Sequence, residues 1–520
     1  MFWKVVITGF LGVLLWLYFV PLYADIDPLA LDEQASVSAT RPSPRESAVY
    51  RSVDVPHGLP LTTGLRLLRH GSRYTTTDGN LQDCWDLHKE AGKAVIVGGE
   101  KIARGELAER VESLVSGLKM LTSFHWLGVF DCELDVCSLS VQLAGLFTGD
   151  FGLFQISDPA GLTQYAASQE SEKRDVDLVF VRGKDTKNLL SLLDLGIFAT
   201  VVVLDDFIDE DIANAFPVKF VKLSELSELT AGKKTAYTAP DLTSSKTYFK
   251  QCLRIQKDDR VFEFTHGNFV SIVASQLYSL PAGHSWKPED KVLIVVDHAE
   301  FGHYLAKLAM CFVVGCETAI VTSAGIDLDT QIRRLAPSIV HASDAVWSSN
   351  STVPIAFYDV ILNNVAESWF STGSCTQLAD WRRQFKQLRL VYSAGTPGSE
   401  RLNHNAVQAK YGVRLIQELV VPGILGPVLK TNFYDYRVVG TNVHRRGVPA
   451  NCLEVKVIDH GRRLADKREG KLHVRGFNIG KSISGVSETV SSPADSGEPG
   501  WMPLDVVGKF GTDGCFYEYV

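Results

Sequence analysis

The residue pattern with the most evident chemistry is Asp297-His298-Ala299-Glu300-Phe301-Gly302-His303, which places two imidazoles and two carboxylates close together. Such a set could hold a metal ion or act as an acid–base dyad. It follows the apolar run 291–296, however, and a polar turn at a strand end accounts for it more simply, so no metal ligand is assigned. Gly476-Phe477-Asn478-Ile479-Gly480-Lys481-Ser482 ends like a Walker loop, but its glycines are one residue too close. Ser393 is not a nucleophile elbow, because position 391 is Val where G-x-S-x-G needs Gly. The nine cysteines are odd in number and contain no C-x-x-C. Cys132/Cys137 and Cys311/Cys316 lie in apolar segments and read as buried free thiols. Arg462-Arg463 and Lys467-Arg468 read as a solvated hairpin tip. None of these patterns supplies a catalytic residue.

The elements that would position such residues alternate along the chain. Short β-branched runs at 93–97, 126–130, 178–181, 199–204, 291–296, 317–321 and 388–392 are separated by stretches of helical spacing, such as Leu107, Val111, Leu114 and Leu118. That alternation predicts a largely parallel sheet covered on both faces. After Asn451 the pattern becomes a hairpin, with 453–458 and 470–475 flanking a polar turn. The expected organisation is a membrane anchor over 1–24, a linker and N-terminal arm over 25–80, an α/β core over 81–450 and a β-rich subdomain over 451–520.

Val5 to Ala24 carries no charge and is long enough to cross a hydrocarbon layer of roughly 30 Å. The reading is a single-pass N-terminal transmembrane helix, placed in the endoplasmic reticulum or a related organelle. The rival is a cleaved signal, for which Leu22-Tyr23-Ala24 is a poor site because a bulky residue stands at −3. Lys4 before the span mildly favours a lumenal body. Free thiols favour a cytosolic one, and the Asn350-Ser351-Thr352 sequon matters only in the lumen. The side stays open. With 520 residues and a net charge of −8, the chain has no basic stripe for a nucleic acid.

Four ordered motifs resemble the adenylate-forming superfamily, in particular the eukaryotic long-chain acyl-CoA synthetases. Phe264-Thr265-His266-Gly267-Asn268 is similar to the L-T-H-x-N that closes the phosphate loop. Val391-Tyr392-Ser393-Ala394-Gly395-Thr396-Pro397 is similar to the adenine turn. Val457-Ile458-Asp459 with Glu469–Gly476 resembles V-D…G-E-L-x-V-R-G. Gly500-Trp501 with Gly508, Asp513 and Gly514 resembles G-W-x-x-T-G-D. The resemblance spans about 80–520 and implies a large layered αβαβα domain with a late β-rich subdomain. It also implies nucleotide-site positions at Thr265, Ala394, Gly395, Thr396, Pro397 and Asp505, with the 297–303 turn near an acyl pocket.

The chemistry implied by that resemblance is disrupted. In place of a Ser/Thr/Gly loop the chain has 251–260, with no Gly, Ser or Thr and with Asp258 and Asp259. Polyphosphate needs small residues whose backbone N–H groups converge on it. Pro422 and Gly423 stand where the resemblance places a Thr and a Glu, and neither offers the side-chain oxygen that magnesium requires. Val506 stands at the ribose carboxylate, leaving Asp505 one position early. The C-terminal domain with the adenylating lysine is expected to be absent. The reading is therefore a catalytically impaired, membrane-anchored synthetase-like protein with a binding or regulatory role in lipid metabolism, and no cofactor. Its expected partners are a membrane, an acyl chain or acyl-CoA, and active lipid enzymes. One alternative is an active ligase using ATP, Mg and coenzyme A, and another is a ligand-free tethered scaffold.

Overall fold

The computed structural model describes residues 2–19, 25–68, 76–121, 125–130, 133–158, 161–163, 178–194, 197–205, 207–208, 210–226, 247–297, 300–350, 357–371, 373, 375, 385–399, 402–437, 442–483 and 500–520. Within them the alternating runs assemble into two large sheets. In the smaller, Lys219–Lys222, Thr200–Val203, Leu178–Val181, Trp126–Phe130 and β1 (Gly152–Gln155) run parallel in that order. β2 (Gln251–Lys257) continues the sheet in parallel, and β3 (Arg260–Thr265) turns back antiparallel against it. The short strand Lys481–Ser482 closes that edge.

The larger sheet has a parallel centre and an antiparallel flank. Val95–Val97, Glu317–Thr322, β4 (Lys291–Val296), β5 (Ile339–Ser343), β6 (Leu390–Gly395) and β7 (Arg414–Val420) lie parallel in that order. Beyond β7 come Pro427–Lys430, β8 (Val443–Pro449), β10 (Phe516–Tyr519) and β9 (Met502–Phe510), then the hairpin Leu453–Ile458/Glu469–Gly476. The late β-rich section is thus an extension of the central sheet, sharing its hydrogen-bond ladder.

Strand alternation sorts side chains into layers. On β4, Val292, Ile294 and Val296 enter the core between the sheets, while Leu293 and Val295 enter a second core on the outer face. On Leu178–Val181, Leu178 and Phe180 face the inner core, while Val179 and Val181 face a third. Helices α2 (His266–Leu277) and α3 (Phe301–Val314) fill the middle layer, and Leu328–Leu335, Asp344–Asn350 and His404–Tyr411 lie outside the large sheet. These layers make the α/β fold that the alternation of strand and helix predicts, with mixed rather than purely parallel sheets. The eight described cysteines are all free, six of them buried.

One expectation needs correction. Part of the stretch read as a linker is folded: Ala35–Val37 pairs with Tyr50–Ser52, whose Tyr50 pairs in turn with Val455. Buried contacts fix this arm, because Lys456 Nζ lies 2.6 Å from Glu46 and the Tyr50 ring stacks on Phe510 at 3.6 Å. The apolar N-terminal helix α1 covers Phe2–Phe19, and residues 20–24 lie outside the described ones. Among the described residues no helix is long and apolar enough to cross a membrane. Trp3, Val6, Ile7, Phe10, Leu11, Val13, Leu14 and Leu15 are nonetheless all exposed on α1.

Candidate functional site

Residues 251–260 do not form a loop. Lys257 pairs with Arg260, so β2 and β3 are joined by the two-residue turn Asp258-Asp259, with Asp258 at φ 54°. Asp tolerates the left-handed region better than most non-glycine residues. The backbone amides that a phosphate loop would turn inward are spent on the sheet ladder. Side chains lock it further. Arg254 bonds Glu263 at 2.8 Å and lies over the Trp126 ring, and Gln256 accepts the Ser157 N–H and donates to the Asp258 carbonyl. The sequence reading missed this hairpin, although two charged residues between β-rich runs were available as its signal.

Thr265 caps helix α2. Its hydroxyl accepts the Asn268 N–H, and its own N–H donates to Asn268 Oδ1 at 2.8 Å, forming a reciprocal capping box. Asn268 Nδ2 then donates to the carbonyls of Phe477 and Ile479, tying α2 to the turn before Lys481–Ser482. The Walker-like segment is this tie. His266 is buried, and burial with the nearby Lys250 charge pushes its pKa down to about 4.

Ala394 and Gly395 end β6 fully inside the sheet, followed by the Thr396-Pro397 turn. A Cβ on Gly395 would lie 2.2 Å from Asp344 Oδ2 and 3.0 Å from Arg446 Nη1. Arg446, on β8, donates to Glu518 at 2.6 Å and to the Thr396 carbonyl at 3.2 Å. Glu518, on β10, accepts the Gly398 N–H at 2.9 Å. The turn therefore has its polar backbone occupied by the chain's own Arg446–Glu518 pair. Ser393 donates its hydroxyl to Asp344. Burial alone would raise the Asp344 pKa, but the His404 imidazole 3.7 Å away, the hydroxyl donated by Ser393 and the Arg446 charge hold it below the usual value.

The remaining predicted positions stand apart. Asp505 on β9 has a side chain 91% exposed and paired with Lys471, while Val506 points into the core. The alternation of the strand fixes both orientations. Gly423 sits at φ 82°, where a Cβ would lie 2.6 Å from the Phe262 ring of β3, and its carbonyl accepts the Gly480 N–H. A carboxylate cannot stand at this position without moving the hairpin.

A different set of polar residues converges in the core. His303 and Lys307, one turn apart on α3, face Glu418 of β7, with His341 of β5 and Tyr392 of β6 beside them. His303 Nε2 is 3.0 Å from Glu418 Oε2, and Lys307 Nζ is 2.8 Å from Oε1. The Lys307 ammonium lies 3.7 Å over the Tyr392 ring, and the His303 and His341 rings are 4.6 Å apart. All are at most 3% exposed. Burial tends to raise the Glu418 pKa, yet Lys307 and His303 hold it well below the carboxylate range. Burial pushes both imidazoles and Lys307 down, with Glu418 opposing. From the sequence His303 was singled out as part of a strand-end turn and Tyr392 as part of the adenine-turn motif, and nothing connected either to Lys307, His341 or Glu418. His303 belongs to α3, and His298 lies outside the described residues.

No family model matches the chain. It is 28% identical over 545 residues to the uncharacterized protein YHR045W of Saccharomyces cerevisiae, covering 95% of this chain and 94% of that one. Among solved structures it is similar to a benzoate CoA ligase from Burkholderia xenovorans, with TM-score 0.59, 16% identity and coverage of 85% and 79% of the two chains. The O-succinylbenzoate coenzyme A synthetase of Bacillus subtilis matches with TM-score 0.57, 12% identity and coverage of 85% and 78%. A luciferase-like enzyme of the mealworm Zophobas morio matches with TM-score 0.59, 13% identity and coverage of 88% and 98%. Together with the layered sheets, these likenesses show that the chain has the α/β fold of the adenylate-forming enzymes.

Proposed function

We propose that this chain is a non-catalytic protein on an acyl-CoA synthetase-like fold, which does not use ATP and acts by binding. The observation that carries the reading is the Asp258-Asp259 turn: two strands meet where a phosphate loop would have to open. The turn presents two carboxylates, whose repulsion of phosphate adds to the missing donors. The Arg446–Glu518 clamp on the Thr396–Gly398 turn and the closed position at Gly423 support the same conclusion.

Attachment to a membrane, such as that of the endoplasmic reticulum, is part of this proposal. The exposed apolar side chains of α1 would bury roughly 25 cal/mol for each Å² removed from water. The CoA ligases among the solved neighbours support acyl-CoA, or an enzyme of lipid metabolism, as the partner class. The deciding experiment is calorimetric titration of the full chain with Mg·ATP, accompanied by a pyrophosphate-exchange assay. Neither should give a signal. Micromolar ATP binding would overturn the proposal. For the membrane part, liposome flotation should capture the full chain and lose the Phe10→Lys/Leu14→Lys variant; equal flotation of both would remove α1 from the account.

A further inference from the structure

The buried cluster between α3 and the large sheet has a composition that the proposed function leaves unused. We propose that His303, His341 and Glu418 form an internal site for one divalent transition-metal ion of the zinc class.

Geometry is the first support. One ligand atom from each of the three residues can be chosen so that all lie within 4.8 Å of one another. His303 Nε2 and Glu418 Oε2 are already 3.0 Å apart. Two donors bound to one ion at about 2.0–2.2 Å stand roughly 3 Å from each other, so this hydrogen bond has the length of a coordination edge. His341 offers the third donor from β5, its ring centroid 4.6 Å from that of His303.

The second support is independent of that spacing. His341 is 2% exposed, and neither of its ring nitrogens has a hydrogen-bond partner. His303 Nδ1 is likewise unpartnered. Buried polar groups are almost always paired, so an imidazole with two idle nitrogens beside a carboxylate calls for a ligand. Two nitrogens and one oxygen select zinc, cobalt or nickel over magnesium and calcium, which require oxygen sets.

Lys307 is the main electrostatic obstacle. It engages Oε1 and leaves Oε2 to the ion, and the Tyr392 ring lies against its ammonium. A bound ion would then tie α3 to β5 and β7 across the middle layer, making it structural.

The test uses the full chain with any affinity tag removed, dialysed against micromolar Zn²⁺ and then against metal-free buffer. Elemental analysis should find one zinc per chain, and Co²⁺ loaded into stripped protein should give visible ligand-field bands. His341→Phe should weaken binding by at least about 100-fold, since even supporting residues around a metal are worth 10–100-fold. If that variant does not fold, Co²⁺ bands in the unaltered chain decide alone. A metal content no higher than in a chelator-treated control, with no Co²⁺ bands, would overturn the proposal and leave an internal water as the partner of His341. Neither result depends on whether ATP binds.

Discussion

At the residue scale, position 423 shows how closely the chain is committed to its present shape. Gly423 is held at φ 82° with the Phe262 ring in the space of a Cβ. Replacing it by the carboxylate that a magnesium-using homologue would need combines backbone strain with overpacking. Gly423→Glu should therefore cost about 2–4 kcal/mol in urea unfolding and should restore no ATP binding. The Lys307–Glu418 pair makes a second prediction. In metal-free protein, Lys307→Met leaves an uncompensated carboxylate in the core, for a loss of about 3–5 kcal/mol. Adding Glu418→Gln should recover much of that loss in the same unfolding assay, because the double variant buries no charge. Recovery of nothing would mean that the pair's packing, not its charge, is what matters.

At the element scale, legibility divided according to whether a segment's partners were local. The runs at β4, β6 and Leu178–Val181 are apolar on both faces, and their burial between helical layers could be read directly from composition. The Leu453–Ile458/Glu469–Gly476 hairpin likewise announced itself by alternation. β2 did not, because Arg254 and Gln256 break its apolar pattern. Their compensating partners, Glu263, Trp126 and the backbone at Ser157, come from other strands and from 99 residues away in the last case. The capping box at Thr265 was masked differently: its Thr and Asn fit both a helix cap and the nucleotide motif they resemble. The buried cluster was illegible because its members are scattered over α3, β5, β6 and β7, and Glu418 in a mostly apolar strand carries no sign of Lys307. Arg254, Glu263 and Trp126 hold the hairpin behind its tip, and at the tip Gln256 bonds the Asp258 carbonyl, so replacing Asp258-Asp259 by Gly-Ser-Gly-Thr-Gly should cost about 1–2 kcal/mol. It should still bind no Mg·ATP in calorimetry, since the Gly423 and Arg446–Glu518 positions remain closed.

At the scale of the whole molecule, the N-terminal arm and the final strands belong to one antiparallel flank of the large sheet, and the middle layer carries the titratable groups that make folding sensitive to acid. His88 stacks on Phe312 of α3 at 4.1 Å with neither ring nitrogen bonded, and burial, aided by the Arg104 charge, pushes its pKa down to about 3. His266 at the start of α2 is pushed down to about 4 by the same cause. Both fall below the ordinary value of 6.5, so between pH 6.5 and 4 the unfolded chain takes up protons that the native chain refuses. The stability these groups contribute is present above pH 6.5 and is lost as pH falls through that window. Each group adds a slope of about 1.4 kcal/mol per pH unit once its unfolded form is fully protonated. Carboxylates such as Glu418, held low in the native state, add to the loss only below the usual carboxylate range. The urea midpoint should therefore decline steeply from pH 6.5 to 4, before most carboxylates titrate. His88→Phe keeps an aromatic ring against Phe312 and removes one titrating group, so it should flatten that decline by about one group's slope while leaving stability at pH 8 nearly unchanged. An identical pH profile in the variant would show that His88 is protonated in the native core.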